Sequence, residues 1–588
     1  MEPAEEVTIF LELRGAGLKV RPAGPDALAL AFDCAEQAGD RAPLPPRAHA
    51  EQWVALTGAR RGRRIERRVR LEAAATDRRL DVAWCAWQQP VLEVRGEPWP
   101  FRYHQRHGSL EAVTGWARRE GAAIFENAAR VDALVARNNC GPAVNHLLAQ
   151  TLHAWLANTW WVQRGRRQLF TVWEGNCHFH STVDVEFTQA PFYLAVWPEL
   201  LGLELDAWPR YARSGRRTLG TAGRGTRYLT HDMGRGIQVG QPRYPHEMEV
   251  EETANYILLL FAHWRRTGDP RRIRRHAGTA EQFLRFLAAC DSTGDGVPDR
   301  GVANTIDDAA PAIQYGRKQT YLAVKTLAAF ATGAVLMQET GRAPAAALCR
   351  RQARRIRATL RARGWQRDHF VTLLDPRADG VVNPWTGRPI ALATLPGWDA
   401  AHIYTANTLP LLDMVGFSIG LDEQRVVQDL QNATARCLRE YGCAHSDHTG
   451  PTLDGQTGAA QDGLAGAALR PGWISMNILR DLAALRRGLD LRALSERYWE
   501  WQTLTNTQEP RLFFETFNGN NLAFYPRGVA VWGWFEALTG QVTDRVRGLH
   551  RRRPPWPQAV APDLFHAFCA ARPHKRQEAP EKKVQKRA

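Results

Sequence analysis

The spacing of apolar positions changes near residue 110. Between residues 7 and 110 they fall in short runs of strand length. Examples are Val7-Thr8-Ile9-Phe10-Leu11-Glu12-Leu13 and Leu80-Asp81-Val82-Ala83-Trp84-Cys85-Ala86-Trp87. Turn residues and a Pro-rich stretch from Pro43 to Pro46 divide these runs, a pattern that predicts an antiparallel β-sandwich. From there to about residue 540 the apolar residues recur at helical spacing, as in 143–156, 247–265, 280–289, 319–338, 423–441 and 475–489. Roughly twelve to thirteen such amphipathic segments, separated by Gly- and Pro-containing loops, predict a mainly α fold. The arrangement expected is six helical hairpins closed into a toroid, an (α/α)6 barrel, preceded by a reduced N-terminal β-sandwich. No short repeat of the solenoid kind is visible. The expected organisation is residues 1–110, the sandwich-like domain; 111–545, the barrel; and 546–588, a C-terminal extension. The basic tail, residues 572–588, has no large apolar residue except Val584 and is expected to be disordered.

Composition narrows the class. In 588 residues, 44% are hydrophobic and 23% charged, which is ordinary for a globular chain and excludes wholesale disorder. No run of about 18–20 uncharged apolar residues is present, so no transmembrane segment is expected. The acidic start, Met1-Glu2-Pro3-Ala4-Glu5-Glu6, lacks the apolar core of a secretory signal. Nine scattered cysteines without a CxxC pair read as reduced thiols, and a cytoplasmic location is the expectation. The net charge of +16 would suit a polyanion. However, basic clusters such as Arg60-Arg61-Gly62-Arg63-Arg64 are not interleaved with stacking aromatics, so a solvated basic surface is expected and nucleic acid is not an expected partner. The oligomeric state is left open.

Five loops in the helical region concentrate polar and aromatic residues: 173–184, 230–234, 304–308, 395–399 and 513–521. Most join carboxylates or amides to aromatic neighbours. Carboxylates and amides hold hydroxyls, and aromatic faces cover the apolar side of a pyranose, so the profile is that of a carbohydrate site. In an α/α barrel, loops at one end converge on a single funnel. Trp398 and Asp399 are counted among the candidates on this ground.

The segment from Glu174 to Asp184 resembles the E-G-(x)-E-Y-x-M-x-N-T-x-D signature of glycoside hydrolase families 52 and 116. These contain β-xylosidases, β-glucosidases and non-lysosomal glucosylceramidases. Thr305-Ile306-Asp307 resembles their T-Y-D loop, Thr230-His231-Asp232-Met233-Gly234 their T-H-D-x-G loop, and Asp291-Ser292-Thr293-Gly294-Asp295-Gly296 the D-x-D-G-D-G turn. The resemblance runs over residues 75–540 and implies an N-terminal sandwich followed by an (α/α)6 barrel. It implies a retaining β-glycosidase with Glu174 as nucleophile and Asp307 as acid/base, Asp308 being the alternative acid. It further implies sugar-binding roles for Asp184, His231, Asp232 and Glu515, with Thr305 beside the acid and Arg527 in the segment after Glu515. Asn176-Cys177-His178-Phe179 replaces the family's Glu-Tyr-x-Met run, and Ser181 its Asn, which leaves the sugar open. A second resemblance is to glutaminase-A-like proteins. It rests on His231-Asp232-Met233-Gly234 followed by Glu247-Met248-Glu249-Val250-Glu251-Glu252-Thr253-Ala254-Asn255, and it implies a related toroid with an amidase as the alternative reaction. A non-catalytic carbohydrate-binding relative is a further alternative.

The chemistry agrees with the residue types. A retaining glycosidase needs a nucleophilic carboxylate and a protonated carboxyl about 5–5.5 Å apart across the anomeric carbon. Histidines such as His178, His180 or His231 would hold the nucleophile ionised, and adjacent Asp307-Asp308 would raise each other's pKa. His178-x-His180 with Asp184 lacks a further cluster at metal-ligand spacing, so packing histidines are expected. Asp291, Asp295 and Asp299, with Thr293 and the Val297 carbonyl, match positions of a calcium loop whose bidentate Glu is replaced by Val302. A plain turn and a structural calcium site are the two readings there, and no other cofactor is expected. The GxSxG string Gly416–Gly420 follows a helical segment rather than a strand and is read as a chance match.

Overall fold

The computed structural model describes residues 5–12, 19–22, 27–34, 48–56, 59–61, 64–71, 82–88, 90, 92–302, 305, 311–382, 387–448, 473–505, 513–515 and 522–570. The N-terminal strands form two antiparallel sheets. Glu5–Glu12, Arg64–Leu71 and Ala59–Arg61 make one, with Ile9 opposite Arg67. Lys19–Pro22, Ala27–Cys34, Ala48–Leu56 and Val82–Gln88 make the other, with Trp53 opposite Cys85. The helix Leu110–Val135 opens where the apolar spacing changes, its first turn capped by the Ser109 hydroxyl accepting from the Ala112 amide at 3.3 Å.

The remainder is a mostly helical toroid. Two kinds of helix alternate. Val183–Val196, Glu249–Thr267, Thr320–Glu339 and Ile474–Arg486 are buried almost all round. Arg271–Ala289, Ala343–Arg363 and Glu423–Cys437 bury one stripe and expose a polar face, Arg-rich in the first two. A helix wet on one side only belongs to an outer ring, and one wet on neither belongs to an inner ring. Thr320–Glu339 is long and apolar enough to cross a membrane by length and composition, yet it is a buried core helix packed between neighbours.

Inner helices carry charge into the core, and their arginines are paired. Arg265 and Arg266, at the end of Glu249–Thr267, meet Asp544 and Glu536. Arg480 pairs with Asp481, which accepts from the Tyr498 hydroxyl at 2.8 Å. Pairing spares each guanidinium the cost of an isolated buried charge.

One small sheet matters for the site. Gly234–Arg235 and Gln238–Val239 form a hairpin that pairs, parallel, with Leu92–Val94, Val239 lying opposite Val94. This joins the segment after His231 to the strands that follow the N-terminal sheets. At the other end, residues beyond Asp544 fold back on the toroid. Leu564 and Phe565 are buried, and the Arg266 guanidinium lies 4.2 Å from the Phe565 ring centre. The basic tail, 572–588, lies outside the described residues.

Candidate active site

The antiparallel hairpin Thr159–Arg164 and Arg167–Val172 delivers the chain to the loop that carries Glu174. The loop is tightly wound. Gly175 has φ +50°, and a Cβ there would stand 2.4 Å from the Ala523 carbonyl oxygen. His178 and Ser181 are also left-handed, at φ 59° and 45°. Backbone bonds fix the crest: Glu174 N–H donates to Phe179 O at 2.8 Å, His180 N–H to Gly234 O at 2.9 Å and Val183 N–H to His231 O at 3.0 Å. His180 is fully buried between the Thr171 hydroxyl at 2.9 Å and the Trp173 indole at 2.8 Å. Burial pushes its pKa down to about 4, so it packs as a neutral ring.

The Glu174 carboxylate accepts two short hydrogen bonds, from Thr182 Oγ1 at 2.6 Å to Oε2 and from the Tyr525 phenol at 2.5 Å to Oε1. Burial raises its pKa, and Asp184 adds to the rise. His231 and the two hydroxyl donors pull the other way. His231 stacks on Tyr244 at 4.1 Å between ring centres and places Nδ1 3.3 Å from Asp232 Oδ2. Burial opposes its protonation, but Asp232, Glu174 and Asp184 outweigh that and hold its pKa above the ordinary value. Asp232 is occupied by backbone amides, from Gly234 at 2.8 Å, Arg243 at 2.9 Å and Tyr244 at 3.0 Å. It is therefore a positioning residue that orients His231.

Asp184 begins the helix Val183–Val196. Its pKa is raised by burial against the pull of His231 and Arg527, and Arg527 Nη1 stands 3.6 Å from its Oδ2. Arg527 also makes contacts at 3.2 and 3.0 Å with Glu515 Oε1, which accepts from Ser475 as well. Thr305 donates to Glu251 Oε2 at 2.5 Å, and Glu251 Oε1 accepts from Tyr321 at 2.6 Å and Lys325 at 3.1 Å. Asp307 and Asp308, two and three residues past Thr305, lie outside the described residues.

The structure also brings in residues that the sequence reading did not single out as site residues. Rings form an arc: Tyr321 to Tyr404 at 6.1 Å, Tyr404 to His445 at 5.1 Å, His445 to Trp473 at 6.0 Å and Trp473 to Tyr525 at 6.5 Å. The first ring in the arc hydrogen-bonds Glu251 and the last hydrogen-bonds Glu174. Arg527 lies 4.6 Å from the Trp473 ring centre, a cation–π distance. Glu252 is fully buried, and its pKa is pushed well up by burial beside Asp184 and Glu251. The available signal was an acidic pair, Glu251-Glu252, leading an otherwise apolar helical segment. The aromatic arc comes from distant loops and leaves no local signature.

Two candidates lie apart from this cluster. Trp398 packs against a satellite core of Ala312, Tyr315, Leu373, Ala378, Val381 and Leu395. Asp399 lines a surface dent with Arg436, Asp447 and His448, its carbonyl accepting from His369 Nε2 at 2.9 Å. Among the described residues no hydrogen bond or ring contact joins either to Glu174. The Asp291–Asp299 loop carries a cation of its own. Lys318 Nζ stands 2.6 Å from Thr293 Oγ1 and 2.5 Å from Asp295 Oδ2, and Arg363 also pairs with Asp295. Asp291 accepts the Thr293, Gly294 and Gly296 amides, and Asp299 the Ser292 amide at 2.7 Å and the Ser292 hydroxyl at 2.5 Å. The ammonium sits among the side chains expected to ligate calcium, which favours the plain-turn reading.

Two family models match the chain, the glutaminase A six helical-hairpin domain over residues 161–377 and glycosyl hydrolase family 52 over residues 60–241. The second match contains Glu174, Asp184 and His231. The fold and these matches place the chain in the six-hairpin toroid class of glycoside hydrolases. No curated protein sequence matches it. Solved structures similar to it include a glycosidase variant in complex with glucose, at 14% identity and TM-score 0.42, covering 67% of this chain and 97% of that one. A bacterial glucoamylase complexed with acarbose is 10% identical with TM-score 0.42, covering 87% and 76%. A GH78 family rhamnosidase of Bacillus sp. GL1 is 12% identical with TM-score 0.40, covering 91% and 49%. Likenesses of this size do not bear on the reaction.

Proposed function

We propose that this enzyme is a retaining β-glycosidase, with Glu174 the nucleophile and Asp307 the acid/base, acting on small β-linked glucosides or xylosides. The observation that carries the reading is the aromatic arc whose two ends hydrogen-bond Glu174 and Glu251. Rings able to cover the apolar face of a pyranose run between carboxylates able to hold its hydroxyls. Thr182 and Tyr525 stabilise Glu174 as an anion, which a nucleophile requires. His231, Asp184, Glu515 and Arg527 supply donors and acceptors for hydroxyls around it. In the first step Glu174 attacks the anomeric carbon as the acid protonates the leaving oxygen. In the second, water displaces Glu174, assisted by the same acid acting as base.

The test is hydrolysis of a panel of para-nitrophenyl α- and β-glycosides with Glu174→Gln as control. Release from one β-glycoside, lost in the variant, supports the assignment. In Glu174→Ala, azide should restore turnover of an activated aryl glycoside and give a glycosyl azide of inverted configuration. Wild-type turnover in the variants would remove Glu174 from the mechanism. The match to the glutaminase A domain favours a second reading, an amidase on the same toroid, which ammonia release from glutamine distinguishes.

A further inference from the structure

We propose that Asp184, His231 and Glu252 form a binding site for one divalent transition-metal ion, Zn2+ or Mn2+. The three residues come from separate elements: the first turn of Val183–Val196, the loop before Gly234, and the first turn of Glu249–Thr267. Each offers a ligand atom, and the three atoms lie within 4.8 Å of one another. Metal bonds of about 2.0–2.2 Å hold ligand atoms roughly 3–4.4 Å apart, so atoms within 4.8 Å of one another converge on one centre with small side-chain shifts. The residues are only 5%, 5% and 0% exposed.

The hydrogen bonding leaves one ligand atom over on each. Asp184 turns Oδ2 to Arg527, and Oδ1 has no hydrogen-bond partner among the described residues. Glu252 Oε2 accepts from Asn255 at 3.1 Å, and Oε1 has no partner among the described residues. His231 Nδ1 faces Asp232, which leaves Nε2 for the site. A carboxylate on the far nitrogen of an imidazole is the usual outer support of a metal-ligating histidine, because it fixes the tautomer and ring orientation. Asp232 is itself held by three backbone amides, so that support is rigid.

The local charge also calls for a cation. Glu174, Asp184, Asp232, Glu251, Glu252 and Glu515 gather here, and the fixed cations Lys325 and Arg527 are already engaged. Lys325 bonds Glu251 and Asn255, and Arg527 bonds Glu515. One imidazole with two carboxylates suits zinc or manganese better than the all-oxygen preference of magnesium or calcium. Three protein ligands leave coordination positions open, which two hydroxyls of a bound sugar would take, so that Asp184 and His231 hold those hydroxyls through the ion rather than directly. That use of the ion rests on the glycosidase reading, and the ion site itself does not.

The test is calorimetric titration of the full chain, stripped with EDTA and returned to metal-free buffer, with Zn2+ and separately with Mn2+. Saturable binding of one ion per chain, weakened at least about tenfold in Glu252→Gln, is expected. Circular dichroism and thermal unfolding verify that the near-isosteric variant folds, and Asp184→Asn serves in its place if it does not. No saturable binding of either ion, or binding unchanged in the folded variant, overturns the proposal. Sugar release is scored apart. An ion bound without any glycoside cleaved leaves the metal site standing and removes the reaction. Full glycoside turnover by a chain that binds neither ion does the reverse.

Discussion

The phenol of Tyr525 donates to Glu174 Oε1 at 2.5 Å, joining side chains 351 positions apart in sequence. The two meet because the crest at Gly175 packs on the backbone at Ala523. A donor to a buried carboxylate favours its ionised form. Tyr525→Phe removes that donor while keeping the ring, so the Glu174 pKa rises. A charge-assisted bond contributes roughly 1.5–3 kcal/mol, equivalent to about 1–2 pH units. The acid limb of the kcat/KM profile should therefore move up by about that much, since the nucleophile is lost to protonation at a higher pH. An acid limb that stays in place would detach Tyr525 from Glu174 ionisation.

Gly175→Ala tests the crest itself. The added methyl meets the Ala523 carbonyl at 2.4 Å, and φ +50° is unfavourable for alanine. Backbone on both sides leaves the methyl nowhere to go. The variant should lose about 1–3 kcal/mol of stability. Its kcat/KM should fall far more than the same loss of stability elsewhere would cause, because Glu174 moves with the crest. Chemical denaturation alongside aryl-glycoside kinetics separates the two effects, and unchanged kinetics would show that the crest tolerates a shift.

The fold was largely legible because helical periodicity is local. The switch near residue 110 and the helical segments after it were read from side-chain order, although segments expected to be amphipathic, such as 319–338, belong to helices buried all round. The loop carrying Glu174 and Asp184 and the loop carrying His231 and Asp232 were legible for the same reason: each is a short run of sequence. Trp473, Tyr404 and Tyr321 were not, because an arc of rings assembled from distant loops has no period. Glu252 was quoted only as part of a motif, since nothing in the sequence shows that its second oxygen lacks a partner. At Asp295 the loop pattern suggested calcium, but Lys318, 23 residues on, supplies the charge. Spacing within a loop does not reveal which distant side chain fills it.

Arg527 is 1% exposed and holds Glu515 and Asp184 together across the site. Replacing it with methionine keeps much of the volume and leaves two buried carboxylates without their cation. Breaking a buried pair in this way costs about 3–5 kcal/mol. The cost should be greatest near neutral pH and smaller near pH 5. Without the guanidinium both folded-state pKa values rise further, and protonation then removes the unpaired charge. Urea unfolding at the two pH values measures the difference. Equal losses at both would mean that Arg527 acts through packing on Trp473 and not through charge.

Behind the Glu174 loop, Glu186 and Glu204 form a fully buried acid pair. Tyr193 donates to Glu186 Oε2 at 2.8 Å and Ser181 to Glu204 Oε1 at 2.8 Å. Burial raises both, Glu186 to about 8 and Glu204 well above its ordinary value. An unfolded glutamate titrates near pKa ~4.3, so between about pH 4 and 8 the folded chain holds protons that the unfolded chain has released. The pair's contribution to stability is therefore fully present at low pH and is lost as pH rises through that window. Glu204→Gln fixes one member in a neutral form that still accepts from Ser181. The variant should match the wild type near pH 4 and exceed it increasingly toward pH 8, by up to about 1.4 kcal/mol per pH unit. Parallel stability curves for the two proteins across pH 5–8 would show that the pair carries charge in the folded state. Ser181 would then be anchored to a carboxylate, and the crest that holds Glu174 would rest on a charged pair.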